Sequence, residues 1–88
     1  MYLEGKIYAG DQLLSSAKTK VVRKKDVDFT KSLDVALVSL CHTLNLPNLF
    51  WFSKNTREFA RYRQTIFSNE QFSDPVNFTQ FHIKLLED

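Results

Sequence analysis

The sequence is poor in glycine, proline and cysteine, with two Gly, two Pro and one Cys in 88 residues. So few chain-breaking residues, beside eight Phe, three Tyr and one Trp, favour a packed globular domain over a disordered chain. A single cysteine excludes an internal disulfide, and a reduced thiol is typical of a cytoplasmic protein. The length predicts one domain, residues 1–88, with a modest core.

Long apolar runs are also missing. The most apolar stretch, residues 49–52, is far shorter than the ~20 residues that cross a bilayer. No basic-then-apolar leader opens the chain, so we expect no secretory signal. These features predict a cytoplasmic protein without a membrane partner.

Motifs that carry chemistry are missing too. Cys41, His42 and His82 show none of the spacings of metal sites. The two glycines, Gly5 and Gly10, form no phosphate-binding loop, and no pair of acids lies in apolar surroundings. We therefore expect no cofactor, no metal and no enzymatic activity, with a small-ligand-binding protein or an enzyme of unknown class as a minor alternative.

The sequence does contain an amphipathic helix, predicted over residues 28–45. Its apolar side chains recur with the spacing of one helix face: Phe29, Leu33, Ala36, Leu37, Leu40, Cys41 and Leu44. Asp28 or Thr30 would cap the start, and Pro47 ends the helix because the residue before a proline avoids the α region. Cys41 belongs to the stripe, so its thiol is expected in the core.

Residues 2–9 and 13–22 predict a β-hairpin around Gly10. A three-residue loop, residues 10–12, would pair Ile7 with Ser15 and Ala9 with Leu13. This register places the small and apolar side chains on one face, whereas a two-residue loop would mix polar and apolar side chains on both faces. We therefore predict the three-residue loop. The other face would hold Tyr2, Tyr8, Lys18, Lys20 and Lys24.

The second half of the chain predicts shorter elements. Residues 48–52 are expected to form a buried strand or extended segment, and residues 55–64 a helix capped by Asn55. A single helical turn is predicted at residues 68–71 and a strand at residues 81–86. The fold class is then α+β: a small antiparallel sheet of three strands, or four if residues 49–52 join it, with the main helix packed on one face and a second short helix at one end.

Spaced aromatic and charged residues mark the chain from residue 51 onward: Trp51-Phe52-Ser53-Lys54-Asn55, Glu58-Phe59, Arg61, Phe67, Phe72, Val76, Phe78 and Phe81-His82-Ile83-Lys84. This pattern resembles a family of small uncharacterised proteins from anaerobic Gram-positive bacteria, for which no activity is assigned. The resemblance extends more loosely to the hairpin and the main helix. It implies a bacterial, cytoplasmic, single-domain protein and transfers no functional residue.

Charge is unevenly distributed. Residues 18–63 carry ten Lys or Arg against four Asp or Glu, which points to an acidic partner. Basic and aromatic side chains on an open sheet can hold single-stranded nucleic acid by phosphate contact and stacking. The set Tyr2, Tyr8, Lys18, Lys20 and Lys24 is therefore one candidate surface for nucleic acid or a partner. The alternative is a solvated sheet face whose lysines prevent edge pairing.

Trp51, Arg57 and Arg61 form a second candidate surface, for an anion or a partner. The two arginines lie one helical turn apart, where they could grip a carboxylate or phosphate or pair with a nearby acid such as Glu58. Trp51 would be a partly exposed anchor, or a buried indole bonded to backbone. The many aromatics favour a non-enzymatic interaction module that binds a protein partner or itself, with single-stranded nucleic-acid binding as the alternative.

Overall fold

The computed structural model describes residues 1–87 and has the predicted α+β fold: two helices on a four-stranded antiparallel sheet. The strands are β1 (Tyr2–Ala9), β2 (Gln12–Lys20), β3 (Gln64–Ser68) and β4 (Gln80–Leu86), arranged in the order β2-β1-β4-β3. The helices are α1 (Phe29–Thr43) and α2 (Ser53–Tyr62), and one 3-10 turn spans Asn69–Gln71.

The β1–β2 hairpin has the predicted division of its side chains up to Ile7 but a tighter turn than predicted. Leu13, which was predicted on the core face, pairs with Tyr8 and is 48% exposed. Ile7 pairs with Ser15, as predicted. Ala9, however, pairs with Gln12 rather than with Leu13, so the loop has only residues 10–11. The register shifts beside Ile7, which means that a bulge within the strands replaces the third loop residue. The main register survives because the bulge absorbs the odd residue.

Helix α1 lies close to its predicted bounds and buries Ala36, Leu37 and Leu40 against the sheet. Asn45 follows it in the left-handed region, with φ of 56°, as expected for the end of a helix. Two valines outside the predicted stripe, Val35 and Val38, are 70% and 63% exposed. The helix therefore has a second, unburied apolar side.

Two predictions for the second half of the chain are wrong in part, and one strand was not predicted. Residues 48–52 form no strand and are not buried, since they make one isolated bridge, between Leu49 and Phe72, and Phe50, Trp51 and Phe52 are exposed; of the two predicted forms, only the extended segment remains. Helix α2 begins at Ser53 rather than at a cap on Asn55, whose Oδ1 instead accepts a hydrogen bond from the Phe52 N–H at 2.9 Å. Strand β3 is an element that the sequence did not predict. The predicted turn at residues 68–71 is confirmed by the 3-10 turn.

A buried polar network joins α2 to β3. The Asn55 amide donates to Thr65 Oγ1 at 2.8 Å and to the Ile66 carbonyl at 3.2 Å, and its Oδ1 accepts from Gln71 Nε2 at 3.0 Å. Lys54 Nζ also donates to the Ile66 carbonyl, at 3.2 Å. These bonds cover the outer edge of β3, which would otherwise present unpaired backbone groups.

Both helices lie on one face of the sheet, and the core forms between them and it. Its largest fully buried apolar side chains are Phe67 and Phe81 from the sheet, with Leu3 and Ile83 beside them and Leu40 from α1. The opposite face carries no helix among residues 1–87. The predicted site residues lie mostly on that open face, in the segment before α2 and on the exposed side of α2.

Candidate functional site

The open face of the sheet forms a basic and aromatic surface, named here the sheet surface: Tyr2, Glu4, Lys6 and Tyr8 of β1, Lys18 and Lys20 of β2, and His82 and Lys84 of β4. Pairing across the strands sets these residues side by side. Tyr2 lies opposite Lys20, Glu4 lies between Lys18 and Lys84, and Lys6 lies opposite His82. Four lysines thus surround one carboxylate.

Contacts within the sheet surface order several of these side chains. Lys18 Nζ lies over the Tyr2 ring, 5.1 Å from its centroid, in the geometry of a cation–π contact. Lys6 Nζ lies 3.8 Å from Glu4 Oε1, so part of the negative charge of Glu4 is balanced. Tyr2 remains 38% exposed. The surface therefore offers a ring and several ammonium groups to solvent at the same time.

His82 adds a second aromatic group beside Tyr8. The two rings are 4.6 Å apart and inclined at 47°, and His82 Nε2 lies 3.0 Å from Gln80 Oε1. Burial, and then the positive charge of Lys6, lower the pKa of His82 below its usual value, because both disfavour the imidazolium. Both effects therefore favour the neutral ring over the imidazolium.

The structure places four of the five predicted residues of this surface together and separates the fifth. Tyr2, Tyr8, Lys18 and Lys20 lie on the open face. Strand β2 ends at Lys20, and Lys24 lies in the following loop, where its carbonyl accepts a hydrogen bond from the Val27 N–H at 3.2 Å. The prediction that Lys24 shares the sheet face is wrong because β2 ends at Lys20, four residues before Lys24.

Sequence reasoning missed Lys6 and Lys84 as members of the same surface. Their alternation along β1 and β4 could have placed them on the polar faces of those strands. The pairing of β1 with β4, which sets Glu4 opposite Lys84, cannot be predicted from a local sequence pattern.

A second feature, named here the helix groove, runs between α1 and residues 46–51. It encloses about 910 Å³ and is open to solvent. Val35, Val38 and Cys41 of α1 form one wall, while Leu49 and Trp51 form part of the other. Because the two valines are largely exposed, the groove is an apolar surface rather than part of the core.

Trp51 has features of both predicted alternatives, the partly exposed anchor and the packed, hydrogen-bonded indole. It is 37% exposed, yet its indole packs against Phe59 and Phe67, with ring centroids 6.1 and 5.6 Å away. Its N–H donates to Thr56 Oγ1 at 2.8 Å, a side chain rather than the backbone. The indole is thus held rigidly with one edge in the helix groove.

Arg57 and Arg61 lie on the exposed side of α2 and do not line the helix groove. The Arg61 guanidinium lies over the neighbouring Tyr62 ring at 5.6 Å. The hydrogen bond that Glu58 accepts from Thr65 Oγ1, at 2.6 Å, is the main cause that lowers the pKa of Glu58, and Arg57 contributes a smaller electrostatic part. Trp51 and these two arginines therefore do not form one lined site.

The Cys41 thiol is partly buried. Burial raises its pKa to about 11, which disfavours the thiolate that acts as a nucleophile. Among residues 1–87, no three His, Cys, Asp or Glu side chains come together in a way that could hold a metal ion. Within the same residues, no helix has both the length and the apolar character needed to span a membrane.

Comparison of the chain with protein-family models, with curated proteins and with solved structures finds no match in any of the three. The resemblance of residues 51–84 to the family from anaerobic Gram-positive bacteria therefore stays a prediction. Any function has to be argued from the two surfaces themselves.

Proposed function

We propose that this protein is a non-enzymatic interaction module that binds a second copy of itself through the helix groove. The observation that carries the proposal is the exposure of Val35 and Val38 on α1, 70% and 63% respectively, beside the half-exposed Trp51. Contiguous apolar surface in contact with water is usually a partner surface. An aromatic anchor next to aliphatic side chains is also typical of the centre of an interface.

The polar border of the helix groove supports a second copy as the partner. Lys31 and Asp34, which carry opposite charges, both line it. In a contact with two-fold symmetry the same patch faces itself, so Lys31 of one copy can lie against Asp34 of the other. If the groove were bordered by charges of one sign only, two copies would instead repel each other.

The character of the helix groove favours a protein partner over a substrate. It is open to solvent, whereas small-molecule sites enclose most of the surface of their ligand. The raised pKa of Cys41 supports a non-enzymatic role for the one thiol that lines the groove. A free cysteine also fits the proposed location, the cytoplasm of a bacterium.

Sedimentation velocity over a range of protein concentrations tests this proposal. We expect the wild type to form a reversible dimer and the double variant Val35→Lys/Val38→Lys to remain a monomer, because two ammonium groups would be buried in an apolar contact. Ser39→Lys is the matched control: it adds a lysine to an exposed position of the same helix that does not line the groove, and it should dimerise like the wild type.

A wild type that sediments as a monomer at every concentration would contradict self-association. A double variant that dimerises as well as the wild type would show that the contact lies elsewhere. Val35 and Val38 are both exposed, and neither substitution creates a cavity, so α1 should remain intact in the variants. Far-ultraviolet circular dichroism of each variant checks this.

A further inference from the structure

We propose that the sheet surface binds single-stranded nucleic acid, with Tyr2, Tyr8 and His82 stacking on bases and the four lysines contacting phosphates. This site is separate from the helix groove, and its test does not depend on self-association. The strand order brings these side chains together on the open face, where Tyr2 is 38% exposed and Tyr8 and His82 are partly buried.

The charge of the sheet surface matches a polyanion. Among residues 1–87, Lys6, Lys18, Lys20 and Lys84 share the paired strands of the open face with one acid, Glu4, which Lys6 already contacts at 3.8 Å. The net charge of the surface is therefore positive, although the whole protein carries only +2. Ammonium groups in such a cluster gain affinity for phosphates by releasing counterions.

The aromatic rings favour a strand of unpaired bases over other anions. Tyr2 and Tyr8 lie six residues apart on β1, which corresponds to about 20 Å along a strand. Rings at this spacing can stack on bases several nucleotides apart on one extended chain. A duplex hides its base faces, and an acidic peptide has none, so neither would use these rings.

The position of the rings supports the same partner. Tyr2 and Tyr8 are on β1 and His82 is on β4, the two central strands of the sheet. Lysines stand on both sides of this aromatic line: Lys18 and Lys20 on β2, and Lys84 beside His82 on β4. A chain that crosses the open face along the central strands would have bases over rings and phosphates near ammonium groups.

Fluorescence anisotropy with labelled single-stranded oligo-dT and oligo-U tests the proposal and distinguishes DNA from RNA as the source of the chain. We expect binding at low salt that weakens as salt rises, with a log–log slope of about −3 for four phosphate contacts. The double variant Tyr2→Leu/Tyr8→Leu, which retains apolar bulk but lacks both tyrosine rings, should lose at least about fivefold in affinity for each ring removed. Tyr2→Phe should bind like the wild type.

Lys24→Glu provides a matched control for charge. It makes the same change as Lys18→Glu in the same basic run but lies in the loop beyond β2, outside the sheet surface. We expect Lys18→Glu and Lys84→Glu each to weaken binding and reduce the salt slope, and Lys24→Glu to have little effect at physiological salt, where screening limits remote charges.

Four outcomes would overturn the proposal. These are no binding to either oligonucleotide at low salt, equal affinity for a duplex or a polyglutamate peptide, no loss of affinity in the tyrosine double variant, and an equal loss in Lys24→Glu and Lys18→Glu. Circular dichroism shows for each variant whether the sheet is intact. If Tyr8→Leu disturbs it, Tyr2→Leu alone tests stacking, because Tyr2 is more exposed.

Discussion

Gly5 lies where α1 presses against the sheet, and any larger residue there would have to displace core side chains. A Cβ atom at this position would be 2.7 Å from Leu40 Cδ2 and 2.9 Å from Phe81 Cε1. We expect Gly5→Ala to lower the free energy of unfolding by about 1–3 kcal/mol through overpacking. Urea denaturation monitored by circular dichroism measures this loss.

The same contact gives Gly5→Ala a specific control. Leu40→Ala alone should cost about 2–5 kcal/mol because it leaves a cavity, but it also removes the atom nearest to the added methyl group. The double variant should therefore lose less stability than the two single variants together. Additive losses would show that α1 moves away from β1 as a whole rather than clashing at Leu40.

Cys41 should be an unreactive thiol in the folded protein. Its pKa of about 11, compared with 9.0 for an unperturbed group, lowers the thiolate fraction at neutral pH by about 100-fold. We expect a thiol-specific disulfide reagent to label the native protein at least that much more slowly than the protein unfolded in urea. Equal labelling rates before and after unfolding would show that the thiol is accessible and ionised.

His82 should make the protein less stable as the pH falls from about 7.5 to about 5.5. Its pKa is lowered in the folded state, so the unfolded chain binds the proton first and acidification favours unfolding. The groups that face the ring are Lys6 and Tyr8 on β1, Ile66 on β3, and Gln80 and Lys84 on β4.

His82→Gln isolates this effect, since glutamine does not titrate and can still hydrogen-bond to its surroundings. Urea denaturation at both pH values should show a smaller loss of stability in the variant than in the wild type. An identical pH dependence in the two proteins would contradict the lowered pKa.

At the scale of elements, the buried network around Asn55 determines how α2 and β3 stay together. Asn55→Ala removes hydrogen bonds to Thr65, Ile66 and Gln71 and leaves their partners buried, which should cost at least about 2 kcal/mol. Urea denaturation measures the loss. Asn69→Ala, at an exposed position of the 3-10 turn, is the control and should stay within about 0.5 kcal/mol of the wild type.

Elements that depend on a local pattern could be predicted from the sequence, and the others could not. Helix α1 has a repeated apolar stripe over four turns, and the pairing of Ile7 with Ser15 follows from alternation within one hairpin. Strand β3 has only five residues, of which Thr65 and Phe67 face the core, so its alternation is too short to recognise. The prediction that β2 extends to residue 22 is wrong because Val21 and Val22, although β-branched and favourable in a strand, follow its last residue, Lys20.

At the scale of the whole molecule, the helix groove and the sheet surface lie on opposite layers. Lys18 and Tyr2 could be predicted as neighbours because one hairpin joins them. Their association with His82 and Lys84 depends on pairing between residues about 80 positions apart, and the groove depends on where residues 46–51 pack after α1 ends. Neither is encoded in a local pattern.

This separation predicts that the two binding activities can be removed one at a time. Val35→Lys/Val38→Lys should abolish dimerisation without weakening oligonucleotide binding, and Lys18→Glu/Lys84→Glu should do the reverse. Sedimentation velocity and anisotropy on the same preparations measure both. Loss of both activities in either variant would mean that one surface forms only when the other is occupied.

The strand order also has a consequence for synthesis on the ribosome. Among residues 1–87, β3 pairs with β4 alone, and β4 separates β3 from β1. At about 5–20 residues per second, the 18 residues that follow Ser68 up to Leu86 take roughly 1–4 s to make. During that interval the strand partner of β3 is incomplete, and the hydrogen bonds of the Asn55 side chain with Thr65 and Ile66 can hold β3 in place.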